Sequence, residues 1–228
     1  MRLPVTPTTT LWRDLRDDVR RHYPAGRVIV AVDGIDGAGK TVFADGLAET
    51  FAETGAAVFR ASIDDFHRPR SERYARGRMS PEGFYRDSFD YPTFRRVLVD
   101  PFRDGAQAGA GTGFQLTAFD LVRDARVESQ WVTAPRDAVL VVDGVFLHRA
   151  ELRDLWDWSV WLEVPWPVAY ARMALRDGSD PDPEAPSNSR YRQGQEIYLR
   201  EARPSEVASA IVDNADLAHP RRVFRGLR

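Results

Sequence analysis

The chain has 228 residues, enough for one domain with a sizeable core. Its formal net charge of −2 excludes a generally basic nucleic-acid binder, and the absence of cysteine excludes disulfide frameworks, thiolate metal sites and cysteine nucleophiles. No apolar run approaches the ~20 residues of a membrane span, and the first ten residues lack the charged-then-apolar layout of an export signal, so a cytoplasmic protein is expected.

In chain order, residues 1–10 hold Pro4, Pro7 and a run of threonines and read as a loose arm. Leu11, Leu15 and Val19 recur at helical spacing over 11–22, and Pro24-Ala25-Gly26 stops that helix. Residues 27–32 are apolar and β-branched, the pattern of a strand buried on both faces of a parallel sheet. Glycines follow, then a helix with Phe43, Leu47 and Phe51 on one face, then a second strand over 57–62. The stretch 63–92 is too polar and too broken by Pro69, Pro81 and Pro92 for core, and too aromatic for a linker. A helix over 93–103 and a flexible connection over 105–113 precede two segments, 114–122 and 127–132, expected to pair as a hairpin. Residues 138–142 form the cleanest buried strand and end at Asp143-Gly144. A strand over 158–164, a helix over 169–176, a polar loop over 177–189, a helix over 190–203 and a strand over 208–212 complete the pattern. Strands alternating with helices predict an α/β domain around a parallel sheet. The four tryptophans between 156 and 166 read as core, and His148 and His219 have no partner spacing for a metal.

The strongest motif is Gly34-Ile35-Asp36-Gly37-Ala38-Gly39-Lys40-Thr41, which satisfies G-x-x-x-x-G-K-[ST] between a buried-strand pattern and a helix. Its glycines let backbone N–H groups wrap a phosphate, and the helix N-terminus adds partial positive charge. Lys40 is suited to reach the β- and γ-phosphates and the Thr41 hydroxyl to ligate Mg²⁺, so Gly34, Asp36, Gly37, Ala38, Gly39, Lys40, Thr41 and Val42 are the candidate nucleotide contacts. Of the 32 basic residues, Lys40 is the sole lysine and the other 31 are arginine. That count removes the guanine-reading Asn-Lys-x-Asp motif and with it a GTPase-like switch.

Asp64 and Asp65 follow the second strand, where strand ends face the ligand crevice of a doubly wound sheet. A carboxylate there can take the proton of an attacking hydroxyl or hold Mg²⁺ through water, and helix capping is the plainer alternative. Asp143, closing four apolar residues, has the layout of an acid that orders Mg²⁺ beside a phosphate loop. Arg172, Arg176 and Arg190 flank the polar loop at 177–189, an arrangement suited to a lid closing over transferring phosphate.

The order of these motifs, with Ser62-Ile63-Asp64-Asp65-Phe66-His67, Asp87-Ser88-Phe89-Asp90-Tyr91-Pro92, Val-Val-Asp143-Gly144, Arg172-x-x-x-Arg176-Asp177 and a last strand Ile-Val-Asp-Asn-Ala-Asp, resembles the uridine kinase family of P-loop kinases from about residue 27 to about 216. The resemblance implies a three-layer P-loop sandwich with a central parallel sheet, a small lid and a hairpin insertion. It divides the chain into an N-terminal arm and helix (1–25) and a kinase domain (26–228), with acceptor-binding insertions near 63–92 and 105–135 and a lid near 172–195. It implies ATP and Mg²⁺ as cofactors, and a nucleoside-like acceptor phosphorylated at its 5′-hydroxyl. Asp64 falls on the family's catalytic aspartate, Arg172 and Arg176 on its lid arginines, and Asp143 replaces its metal-linked Glu. His67, Asp90 and Tyr91 fall on its acceptor segment. Phe119-Asp120-Leu121 stands where the family has Tyr-Asp-Phe, and Asp124 where it has a base-contacting His. A phenyl ring can stack on a base without hydrogen-bonding it, and a carboxylate repels a carbonyl edge. Another small alcohol, an acidic or phosphorylated acceptor read by the six arginines of 68–91, or a non-catalytic nucleotide-binding regulator are therefore kept as alternatives. Neither a nucleic-acid nor a membrane partner is expected, and homo-oligomerisation stays open.

Overall fold

The structure is a computed structural model that describes residues 2–105 and 113–224. In chain order its elements are α1 (Pro7–His22), β1 (Arg27–Gly34), α2 (Lys40–Ala52), β2 (Ala57–Ser62), α3 (Arg70–Arg73), α4 (Pro81–Asp87), α5 (Tyr91–Phe94), α6 (Asp100–Asp104), β3 (Phe119–Asp120) and β4 (Ala125–Arg126). There follow β5 (Ala138–Gly144), β6 (Trp158–Glu163), α7 (Trp166–Asp177), α8 (Ser189–Ala202), α9 (Pro204–Val207), β7 (Ala210–Asp213) and β8 (Arg221–Val223).

All of β5, and all of β1 but its first residue, are buried, so helices cover both faces of the sheet and the expected three layers form. The sheet runs β2-β5-β1-β6-β7-β8, parallel except for β8. Each buried Val or Leu of β5 contributes roughly 1.5–3 kcal/mol. Register places Asp33 beside Gly144 and Ser62 beside Asp143, so the C-terminal ends of β1, β2 and β5 share one edge. The phosphate loop, the Asp64 segment and Asp143 meet at that edge.

Three local expectations change. Helix α1 starts at Pro7, so the loose arm of residues 1–10 is shorter than expected. Thr6 and Thr9 close a reciprocal cap, each side-chain oxygen accepting the other's backbone N–H at 3.1 and 2.9 Å, with Pro7 at the first helical position. Gly46 then lets α1 lie against α2, because a Cβ there would stand 2.2 Å from the Trp12 ring.

The helix expected over 93–103 spans α5 and α6, joined by a π-helical turn at Arg95–Val99. Pro101 has no N–H for the Val97 carbonyl, and Gln115 supplies the missing donor at 2.8 Å. That bond docks the hairpin on the helix and explains why its ladder is short. Phe114 and Val132 pair at its base and β3 pairs with β4, but the N–H groups of Gln115 and Ala118 go to Val97 and Asp65 instead. The flexible connection expected at 105–113 falls mostly outside the described residues.

The edge strand β8, with Arg221 and Arg222, carries no apolar pattern and was not expected. Trp156, Trp158 and Trp161 are core, whereas Trp166 is half-buried under the Arg192 guanidinium, 4.0 Å from its ring centroid.

Candidate active site

Gly37 and Gly39 of the phosphate loop have φ of +74° and +86°, and a Cβ on Gly37 would stand 2.2 Å from the Ala169 carbonyl oxygen. Glycine at 37 thus serves both the turn and the close approach of α7. Lys40 opens α2, and its ammonium folds back to donate to the Ile35 carbonyl at 2.9 Å. Val42, one turn into the helix, is exposed. Three residues pin the loop from outside. Asn214 donates to the Ala38 carbonyl at 2.8 Å. Arg172 donates to the Asn214 and Ala215 carbonyls at 2.8 Å and to Gly37 at 3.5 Å. Gln195 of α8 both accepts from the Asp36 N–H and donates to its carboxylate. Arg172, expected as a lid arginine, is therefore committed to backbone carbonyls and does not line the acceptor cavity; it holds the loop to the segment after β7.

Thr41 donates to one oxygen of the Asp143 carboxylate at 2.8 Å, and Arg60 of β2 donates to the other at 2.8 Å. Arg60 also bonds Asp45 and the Val141 carbonyl, so it fixes this acid from the neighbouring strand. Arg60 was not legible as a site residue, since a lone arginine in a strand carries no motif. The Thr41–Asp143 pair has the donor chemistry for Mg²⁺, which is commonly held by one or two protein oxygens together with phosphates and water.

Asp64 sits exposed in a 3₁₀ turn at Ile63–Phe66, capped by Ser62, whose Oγ accepts the Asp64 N–H at 3.3 Å. It opens on a cavity of about 480 Å³ whose wall includes Asp36, His67, Arg73, Arg176 and Arg190. Burial pushes the Asp36 carboxyl above its usual range; nearby Lys40 opposes this and Asp64 adds to it. Burial likewise raises Asp65, with Asp64 and Asp143 adding, which marks these acids as one electrostatic group. His67 donates from Nδ1 to the Asp64 carbonyl at 2.7 Å, and burial holds its imidazole below the usual range. Its ring lies 4.5 Å from that of Phe89, which brings the segments at 62–67 and 87–92 together.

The other acceptor residues divide. Asp90 and Phe119 line a separate cavity of about 240 Å³, with His67 at the boundary of both. Asp90 also caps α5, accepting the Thr93 N–H at 3.0 Å. Tyr91, expected to contact substrate, lines neither cavity; its ring stacks with Phe89 beneath Arg149 and its hydroxyl is sealed in. Asp124 accepts the Arg70 N–H and pairs with Arg73 at 3.0 Å, so it braces the cavity wall.

Behind the loop lies a buried polar chain. The Asp33 carboxylate accepts from the Gly34 N–H, from His148 Nδ1 at 2.7 Å and from the Tyr198 hydroxyl, while His148 Nε2 lies 2.9 Å from Ser159 Oγ. His148 is thus a core residue. His219 is a surface one, paired with Asp216.

No protein-family model matches the chain. It is 23% identical over 151 residues to the uridine kinase of Leuconostoc citreum (strain KM20), spanning 66% of this chain and 68% of that one. The structure of a possible uridine kinase from Bacillus stearothermophilus matches with a TM-score of 0.66 at 23% identity, over 89% of this chain and 97% of that one. D-glycerate 3-kinase from Cryptococcus neoformans matches with a TM-score of 0.59 at 13% identity, over 96% and 100%.

Proposed function

The chain has the fold of the uridine-kinase-like P-loop kinases, and from that premise we propose that it transfers the terminal phosphoryl group of ATP to a hydroxyl of a small molecule. The observation that carries this reading is the shared edge: β1, β2 and β5 end together there, and Asp36 of the phosphate loop and Asp64 line one cavity large enough for a small acceptor. The backbone N–H groups of the loop and the start of α2 hold the phosphates, with Lys40 leaving Ile35 to reach them. Asp64 accepts the proton of the acceptor hydroxyl as its oxygen bonds to the γ-phosphorus and the bond to the β–γ bridging oxygen breaks, releasing ADP. Arg176, at the cavity wall and paired among the described residues only with its exposed neighbour Asp177, is free to swing toward the transferring group. Thr41 and Asp143 would hold Mg²⁺, which offsets negative charge on the phosphates. Arg172 acts through the loop as a positioning residue.

The finer reading, a uridine- or cytidine-like acceptor, has behind it no more than the name uridine kinase of the curated relative. Against a base-reading role for Asp124 stands its engagement with Arg70 and Arg73.

The test is ATP consumption with a panel of nucleosides, hydroxy acids and sugar phosphates. Asp64→Asn should lower kcat by about a hundredfold or more while the affinity for a non-hydrolysable ATP analogue holds. Failure of the wild-type protein to bind the analogue, or full turnover by Asp64→Asn, overturns the reading.

A further inference from the structure

Building on the kinase reading, we propose that the acceptor alcohol carries an anionic group, a carboxylate or a phosphate, held by Arg190 and Arg73 in the cavity that Asp64 faces. Arg190 comes from α8 and is 5% exposed. Its Nη1 donates to the carbonyls of Arg78 and Ser80 at 2.7 and 3.3 Å. Its other guanidinium nitrogens make no hydrogen bond, and no carboxylate pairs with it, among the described residues. Other buried arginines are neutralised: Arg149 pairs with Glu151 at 2.7 Å and Arg73 with Asp124 at 3.0 Å. A buried cation without a counter-ion is costly, and a ligand anion relieves that cost.

Arg73 stands beside it. The guanidinium carbons of Arg73 and Arg190 lie 5.5 and 5.1 Å from the same Tyr74 ring centroid, so both cations pack against one tyrosine ring of the cavity wall. Arg73 Nε is sealed without a partner among the described residues, although Nη2 holds Asp124. Burial lowers the Arg190 guanidinium from its usual range, and the positive charges of Arg73 and Arg78 push the same way. The carboxylates lining the cavity are Asp36 and Asp64 at the phosphate-loop end and Asp177 and Asp180 after α7; none reaches Arg190. His67 touches both regions, bonded to Asp64 on one side and within the field of Arg73 on the other. An acceptor lying across His67 would present its hydroxyl to Asp64 and its anionic end to the two arginines. Planar guanidinium forks match the oxygens of carboxylate and phosphate alike.

The test fills the phosphate loop first with a non-hydrolysable ATP analogue, so that a free anion cannot occupy the loop. Calorimetry then titrates inorganic phosphate, D-glycerate and uridine. Phosphate or D-glycerate should bind at millimolar concentration or better, the stronger of the two naming the anion, and Arg190→Gln should weaken it at least about tenfold. Arg73→Gln should weaken it as well. Retained affinity for the ATP analogue reports that either variant folds. On the wild-type protein, kcat/KM for an anionic alcohol should exceed that for its neutral counterpart (D-glycerate against glycerol, a sugar phosphate against the sugar) by about a hundredfold. Binding of neither anion, or turnover of uridine or a neutral alcohol at least as fast as the anionic ones, overturns the proposal while leaving the kinase reading in place. Loss of ATP-analogue binding in the wild-type protein would sink the kinase reading itself.

Discussion

Gln195 grips Asp36 at two points: its Oε1 accepts the Asp36 N–H at 2.8 Å, and its Nε2 donates to the Asp36 carboxylate at 3.0 Å. The amide belongs to α8, which also supplies Arg190 to the cavity and Tyr198 to the buried chain behind the loop. One helix thus sets the shape of the phosphate loop and the wall of the acceptor site.

Removing that grip leaves a donor and a carboxylate of the loop unpaired. Gln195→Ala should raise KM for ATP by about tenfold, from the roughly 1–3 kcal/mol of an unsatisfied buried group. Gln195→Glu should do worse at neutral pH, because it sets a second carboxylate against one that burial already disfavours. Its deficit should shrink as pH falls and one of the two carboxyls takes a proton. ATP kinetics across pH test both variants; an unchanged KM in Gln195→Ala would remove the proposed role of the grip.

Lys40→Arg keeps the charge and should still lower kcat at least about tenfold. The Lys40 ammonium bonds the Ile35 carbonyl within the loop it serves, a position for a compact donor. A planar guanidinium is larger and would crowd the backbone N–H groups that wrap the phosphates. Steady-state kinetics decide the point, and near-normal kcat would refute it.

The chain Asp33–His148–Ser159 predicts a stability effect rather than a kinetic one. Asp33 is fully buried and satisfies three donors besides the Gly34 N–H: His148 Nδ1, the His148 N–H and the Tyr198 hydroxyl. Tyr198→Phe removes one of these and should cost about 1–2 kcal/mol. Asp33→Asn removes the charge that all of them share and should cost about 3 kcal/mol or more. Urea unfolding measures both, and equal small losses for the two variants would contradict the ordering.

The legible parts of this protein are those whose chemistry is local in sequence. The phosphate loop fixes its own backbone through Gly37 and Gly39, and Asp143 declares itself by closing an apolar run. Alternation of strands and helices implies a parallel sheet, but the order β2-β5-β1-β6-β7-β8 is set by tertiary packing. Gln195 and Arg60 were not legible, because each acts on a partner 83 or 159 residues away and belongs to no motif, and Asn214, though it stands in the last-strand motif, gave no sign of its bond to Ala38, 176 residues away. Arg172 and Tyr91 mark the opposite case. A motif position gave them a contact with ligand, but tertiary packing turned one to carbonyls and sealed the other beneath Arg149.

Acid stability should depend on a residue far from the site. Arg13 of α1 clamps Glu53, just past α2, through two bonds of 2.8 and 2.9 Å, and the Leu3 N–H adds a third at 2.6 Å. The Arg13 bond, with Leu3 and Arg16, draws the Glu53 carboxyl down from 4.5 to about 2. In the folded chain Glu53 therefore holds fewer protons than in the unfolded chain between those values. Its stabilising contribution is complete above about pH 4.5 and is lost as pH falls through about 2. Glu53→Gln should lower stability at about pH 6, and the difference from wild type should narrow at about pH 3. Urea midpoints at the two pH values check the sign. A gap that widens on acidification would mean that Glu53 is not held ionised by Arg13 and that α1 is fastened to α2 by apolar packing alone.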